Sequence, residues 1–129
     1  MTTINFKCEI SATIDQAIER ATKALGAEGF GILTRIDMHS KIKEKIGKDI
    51  IPTVILGACN PNLAYEAYTA NSDVASLLPC NAVIREIAPG KISLEFVKPT
   101  AMMQILGDAK LAELAREADA KIGRALKNV

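Results

Sequence analysis

The sequence has almost no aromatic residues and almost no histidine. Among 129 residues there are no Trp, two Tyr, three Phe and one His. Single-stranded nucleic acids are usually held by bases stacking on aromatic side chains, and their phosphates need an excess of positive charge. Sixteen Lys and Arg against fifteen Asp and Glu leave a net charge of only +1. We therefore expect no nucleic-acid partner.

No apolar run is long enough to cross a membrane. The most apolar stretch, residues 50–59, is interrupted by Pro52 and Thr53, whereas a spanning helix needs about 20 apolar residues. The chain begins with alternating apolar and polar residues, which do not resemble a secretory signal. Three cysteines are too few for a secreted disulfide scaffold. These observations predict a soluble cytoplasmic protein with no membrane partner.

The pattern of apolar residues predicts an α+β fold in one domain, residues 1–129. Five segments have the features of strands, and the two longest helical patterns follow the first strand and the last. Short helices connect other strands. Because helices interrupt the run of strands without alternating regularly with them, an antiparallel or mixed sheet with helices on one face is favoured. The strands are expected at residues 4–11, 30–36, 53–58, 81–87 and 91–97.

Local signals predict where several helices begin and end. Thr13 and Gln16 form a capping box before the first helix, and Gly26 is expected to end that helix in a left-handed conformation. Asn60 is a preferred N-cap residue, and Pro61 suits the first helical position. Thr100 is expected to cap a short helix after the last strand.

Two segments with mirrored sequences form the most distinctive motif of the chain. They are Cys59-Asn60-Pro61 and Pro79-Cys80-Asn81. If the third and fourth strands are antiparallel neighbours, Cys59 and Cys80 lie at the same rim of the sheet. We therefore take Cys59, Asn60, Cys80 and Asn81 as the candidate ligand-binding residues.

The chemistry of the two cysteines has three interpretations. Cys59 precedes a helix N-terminus, whose partial positive charge lowers a thiol pKa, so Cys59 is a candidate nucleophile with Cys80 as the resolving thiol. Both are also candidate ligands for copper(I) or zinc. Alternatively, the two thiols are inert and fill gaps in the core.

Other residues give no firm metal site or catalytic constellation. A closed zinc site needs four ligands, and the chain has one His and no Cys-x-x-Cys motif. No cofactor is therefore predicted, and a soft metal remains only a candidate. His39 is expected to be a solvated side chain. Because no nucleophile elbow, His-Asp pair or carboxylate pair is present, an enzyme is not favoured.

Several motifs together resemble one protein family. The motifs are Gly29-Phe30-Gly31, Gly57-Ala58-Cys59-Asn60-Pro61, Leu77-Leu78-Pro79-Cys80-Asn81, and the later residues Gly90, Pro99 and Met102. In this order they are similar to the family called domain of unknown function 302. The resemblance implies a curved, mainly antiparallel sheet like that of the TATA-binding-protein group, with two main helices on one face. It also implies a homodimer, and it names no reaction.

The resemblance also bears on the cysteines. Similar family branches have Gly-Asn-Pro and Leu-Pro-Leu in place of the two cysteine segments, so the two cysteines belong to a subgroup and a joint role is favoured. The leading hypothesis is a homodimeric binding or accessory module with a ligand site at Cys59, Asn60, Cys80 and Asn81. Its partners are a second copy of itself and an unknown small ligand or protein. The alternatives are a redox or sulfur-carrier protein, a soft-metal protein, and a subunit that only holds a partner.

Overall fold

A computed structural model describes residues 4–129. Its strands are β1 (Asn5–Ser11), β2 (Gly31–Asp37), β3 (Thr53–Cys59), β4 (Cys80–Ala88) and β5 (Lys91–Val97). Its α-helices are α1 (Ile14–Ala27), α2 (Met38–Ile46), α3 (Pro61–Ala70), α4 (Pro99–Met103) and α5 (Ala109–Lys127). Short 3₁₀ helices span Ser72–Leu77 and Gln104–Leu106. No helix within residues 4–129 is long and apolar enough to cross a bilayer.

The five strands form one antiparallel sheet in the order β1-β5-β4-β3-β2. The α+β prediction is therefore confirmed, including the antiparallel pairing of β3 with β4. In that pair Thr53 lies opposite Arg85, and Ala58 lies opposite Cys80. The end of β3 and the start of β4 consequently meet at one rim of the sheet.

The core lies between one face of the sheet and the helices. Along β3 the alternate residues Val54, Leu56 and Ala58 are each only 1% exposed, as expected for a strand with one face buried. The helices α1 and α5 contribute mostly alanine and leucine to the same core. Small side chains let these helices pack close to the sheet, so a compact core forms with few aromatic residues. The largest fully buried side chains include Phe96, Leu25, Ile84, Leu94 and Ile122.

The first helix begins as predicted but ends later. Thr13 Oγ1 accepts the N–H of Gln16 at 3.1 Å, and Gln16 Oε1 accepts the N–H of Thr13 at 3.0 Å, so the capping box is complete. The prediction that Gly26 ends the helix is wrong, because α1 continues to Ala27. Gly29 has the positive φ instead, at +86°, where the chain turns toward β2. The turn therefore lies three residues beyond Gly26.

The predicted cap of α4 is also wrong. Pro99 occupies the first turn of α4, and the N-cap residue is Lys98. Thr100 lies inside the helix and donates two hydrogen bonds to Asp119 of α5, from its N–H at 3.1 Å and from its hydroxyl at 2.6 Å. A carboxylate from a distant helix thus satisfies a backbone donor at the start of α4.

Candidate functional site

Asn60 and Pro61 begin α3 at the rim of the sheet, as the sequence predicted. Asn60 Oδ1 accepts the N–H of Leu63 at 3.2 Å, and Pro61 takes the first helical position. Asn60 Nδ2 donates to the carbonyl of Glu28 at 3.3 Å. The Asn60 amide therefore has a protein partner on its oxygen and another on its nitrogen, and it links α3 to the end of α1.

Gly57 and Pro79 pack tightly beside the two thiols. A β-carbon at Gly57 would lie 2.2 Å from Thr34 Oγ1 and 2.7 Å from Pro79 Cγ, both far shorter than real contacts. Only glycine therefore fits this position of β3 unless its neighbours move. Gly57 and Pro79 shape the rim, which gives them a structural role next to Cys59 and Cys80.

A pocket of about 60 Å³ opens at this rim, between the sheet and the helices α3, α4 and α5. Cys59, Asn60 and Cys80 contribute to its wall. The rest of the wall is apolar, with larger side chains such as Phe30, Leu63, Met103 and Leu114. Five alanines provide the space between them, and these are Ala58, Ala64, Ala67, Ala115 and Ala118.

Cys80 at the pocket is buried and Cys59 is partly buried. Cys80 is 8% exposed, and its burial, followed by the nearby Cys59 and Asp119, raises its pKa to about 11. Burial also raises the pKa of Cys59, which is partly exposed. The position of Cys59 before α3 predicted a lowered pKa. Desolvation instead raises the pKa of Cys59. At neutral pH both groups are therefore protonated thiols.

The remaining cysteine and the fourth candidate residue lie apart from the pocket. Cys8 is opposite Leu94 in the pairing of β1 with β5 and is half-buried. Asn81 is exposed, lies opposite Gly57, and is not part of the pocket wall. All three cysteines are free thiols. The pocket thus brings together Cys59, Asn60 and Cys80 but not Asn81.

Other polar candidates have structural partners. His39 is half-buried and its Nδ1 accepts the N–H of Thr53 at 3.0 Å, so it is not the solvated side chain expected from the sequence. This hydrogen bond ties the start of α2 to the start of β3. Within residues 4–129 no group of three or more His, Cys, Asp or Glu side chains is arranged to hold a metal ion.

The helix α5 supplies a part of the pocket wall that was not predicted from the sequence. The 3.6-residue spacing of apolar residues in α5 predicts that one face of this helix is buried. It does not predict which rim of the sheet that face covers. Ala115 and Ala118 contribute to the pocket from a position more than thirty residues beyond Cys80. Asp119, the residue after Ala118, had no local signal because its partner Thr100 lies in another helix.

The fold and the pocket define a small α+β domain with an apolar cavity at the rim of an antiparallel sheet. The chain belongs to the family described as Domain of unknown function DUF302, whose model matches residues 6–129. The resemblance inferred from the motifs is therefore confirmed.

A solved structure supports the same assignment. It is the crystal structure of an uncharacterized conserved protein DUF302 from Bacillus stearothermophilus, with a TM-score of 0.90 and 28% sequence identity over 98% of each chain. No curated protein matched the sequence. The relatives therefore define the family and the fold without naming a reaction.

Proposed function

We propose that this protein is a homodimeric binding module that holds a small ligand in the rim pocket, against Cys59, Asn60 and Cys80. The observation that carries this proposal is the pocket itself, which lies beside the two mirrored segments of the sequence. Asn81 remains a predicted ligand residue from the sequence, without a contact to the pocket wall.

The open space of the pocket supports a binding role. The pocket leaves about 60 Å³ unfilled between largely apolar side chains, and it is open to solvent at the rim, so a small molecule can enter it. One larger side chain in place of an alanine, for example at Ala118, would fill this space. The pocket lies beside two thiols, and one substitution could fill it. We therefore take this unfilled pocket as the place where a ligand binds.

The homodimer is supported by the family resemblance and by an exposed apolar surface near α2. The nine-residue helix α2 buries none of its residues, although Ile42 and Ile46 give it an apolar side. Ile46 is 66% exposed and Ile51 is 48% exposed. A helix this short is marginal in water without packing, so a second copy is a suitable cover for this surface.

A thiol-dependent function is the second candidate, because Cys59 and Cys80 contribute to one pocket wall. As a redox couple they would reduce a disulfide substrate. The substrate would take up the two electrons and two protons released when a disulfide bond forms between Cys59 and Cys80. As metal ligands they would bind copper(I) or zinc as two thiolates. The raised pKa of each thiol makes both uses less favourable than ligand binding.

The ligand site is tested by adding small-molecule fragments and monitoring their binding through backbone NMR signals. Small molecules that bind should shift amide signals of residues in the pocket wall, such as Ala58 and Ala115. The Ala118→Leu variant should lose these shifts because leucine fills the cavity, and Ala120→Leu, on the exposed side of the same helix, should keep them. Binding that is unchanged in Ala118→Leu would overturn the proposed site.

Light scattering tests the dimer separately. The purified chain should have twice the 13.8 kDa mass of one copy at micromolar concentration. Ile46→Glu should shift the mass toward one copy, whereas Ile105→Glu, which alters a side chain that is 73% exposed elsewhere, should not. A wild-type mass of one copy would overturn the dimer.

A further inference from the structure

We infer that the rim pocket selects an uncharged, apolar group, a short alkyl chain of a few carbons, and rejects carboxylate and ammonium groups. This inference rests on the proposed ligand site and adds the chemical class of the ligand. It follows from three properties of the pocket: its lack of polar partners, the charge around it, and its size.

The pocket wall offers a ligand very few hydrogen-bonding groups. Among residues 4–129, Asn60 is the one side-chain amide in the wall, and one of its N–H groups and one lone pair of its oxygen bind the Glu28 carbonyl and Leu63 N–H. The other polar side chains of the wall are the thiols of Cys59 and Cys80, which are weak donors and weak acceptors. A strongly polar ligand would therefore lose hydrogen bonds to water that the side chains of the wall do not replace.

The charges near the pocket disfavour ions of either sign. In the part of the chain that the structure describes, no Lys, Arg, Asp or Glu contributes to the wall, so an ion in the pocket meets no counterion from these residues there. Asp119 is close enough to Cys80 of the wall for its charge to raise the Cys80 pKa, and its carboxylate accepts hydrogen bonds from Thr100. Its negative charge further disfavours an anion. Asp119 is not among the residues of the pocket wall, so a cation in the pocket does not contact its carboxylate directly.

The size of the pocket sets the size of the group. A dry apolar cavity of about 150 Å³ binds benzene or xenon, and this pocket measures about 60 Å³. A chain of a few carbons therefore matches this smaller space better than a benzene ring does. Ala115 and Ala118 on α5, and Ala64 and Ala67 on α3, supply most of this space by being small.

A series of four probes, three of which have the same three-carbon chain, tests the class. Xenon, 1-propanol, propionate and propylammonium are titrated separately into the full chain, and methyl NMR signals of Ala115 and Ala118 are followed. Xenon and 1-propanol should shift both signals. Propionate and propylammonium should bind at least about tenfold more weakly, because an ion loses its hydration in an apolar pocket.

Two variants connect the signals with the cavity. Ala118→Leu should abolish the response of Ala115 to 1-propanol, and the control Ala120→Leu should preserve it. If Ala118→Leu does not fold, Ala115→Val, which fills less of the cavity, should reduce the response of Ala118. A response that survives in both filled variants would overturn the inference, because the probe would then bind elsewhere.

The remaining outcomes separate this inference from the proposed site. Propionate or propylammonium binding as tightly as 1-propanol, with the same sensitivity to Ala118→Leu, would overturn the neutral apolar class and leave the ligand site standing. The absence of any response to all four probes would overturn the ligand site, and the inference would fall with it.

Discussion

Thr100 in α4 and Asp119 in α5 are joined by two hydrogen bonds that hold α4 against the long C-terminal helix. The Asp119 carboxylate accepts the Thr100 hydroxyl at 2.6 Å and the Thr100 N–H at 3.1 Å. Pro99 and Met103 of α4 and Ala118 of α5 contribute to the rim pocket on either side of this link. The link therefore holds together the two helices that close one side of the pocket.

Removing this link should destabilise the protein. Asp119→Asn and Thr100→Val should each lower the free energy of unfolding by about 1 to 2 kcal/mol, since hydrogen bonds to a charged group are among the stronger ones. Urea denaturation monitored by circular dichroism measures the change. Glu117→Gln, on the exposed side of α5, is the control and should change stability little. Equal stability of Asp119→Asn and wild type would contradict the proposed importance of this contact.

Adding a methyl group at Gly57 should disrupt the rim. Gly57→Ala should lower the free energy of unfolding by about 1 to 3 kcal/mol, because its β-carbon would overlap Thr34 Oγ1 and the Pro79 ring. Thr34→Ala in the same chain should restore part of the loss by removing the closest atom. Gly31→Ala is the matched control, because a β-carbon there meets no atom within 4 Å. Similar thermal midpoints for Gly57→Ala and Gly31→Ala would show that the rim accommodates the methyl group.

The reactivity of Cys80 should rise only in strongly alkaline solution. Its pKa of about 11, against an ordinary value of 9.0, means that its rate of alkylation should keep increasing up to about pH 11. Cys59 should react faster at each pH because it is more exposed. Mass spectrometry of peptides from the wild type, with Cys80→Ser as a control, measures each rate. A reactivity midpoint below pH 8 for either thiol would favour the redox alternative instead.

The same shift predicts a loss of stability at high pH. Below about pH 9 Cys80 is protonated in the folded and the unfolded chain, so its ionisation has no effect on folding. As the pH rises from about 9 to about 11, the unfolded chain loses this proton first, and unfolding becomes easier. Urea denaturation should therefore show a smaller fall in stability over this range for Cys80→Ala than for wild type. Parallel pH profiles of the two proteins would contradict the buried, protonated state of Cys80.

An ion pair on the face of the sheet opposite the core gives a further prediction. Glu95 is only 3% exposed, and its carboxylate pairs with Arg85 and accepts a hydrogen bond from Asn5 Nδ2 at 3.2 Å. Arg85→Met should lower the free energy of unfolding by about 1 to 2 kcal/mol, because the buried Glu95 carboxylate then loses the positive charge of the Arg85 guanidinium. The exposed part of Arg85 limits the loss.

Two further variants identify the cause of that loss. Arg85→Lys should recover part of the stability by keeping the positive charge, and Glu95→Gln combined with Arg85→Met should be less harmful than the sum of the single changes. Additive losses in urea denaturation would show that Arg85 and Glu95 act independently.

Much of the fold could be predicted because its signals lie within a few residues. The capping box of Thr13 and Gln16, and the start of α3 at Asn60 and Pro61, depend on hydrogen bonds between near neighbours in sequence. The alternation along β5 likewise depends on which side of one strand each residue occupies. The rim position of Cys59 and Cys80 followed from one assumption, the antiparallel pairing of β3 and β4, and that pairing is confirmed.

The secondary-structure elements, the family and the two segments at the rim follow from the order of amino acids alone. Only the tertiary structure decided what surrounds those segments, because burial and cavity volume are produced by residues far apart in the chain. Ala118 became part of the pocket, and Asp119 became the partner of Thr100, when α5 packed across the sheet. The same packing removed water from Cys80, and this loss of solvent raised its pKa.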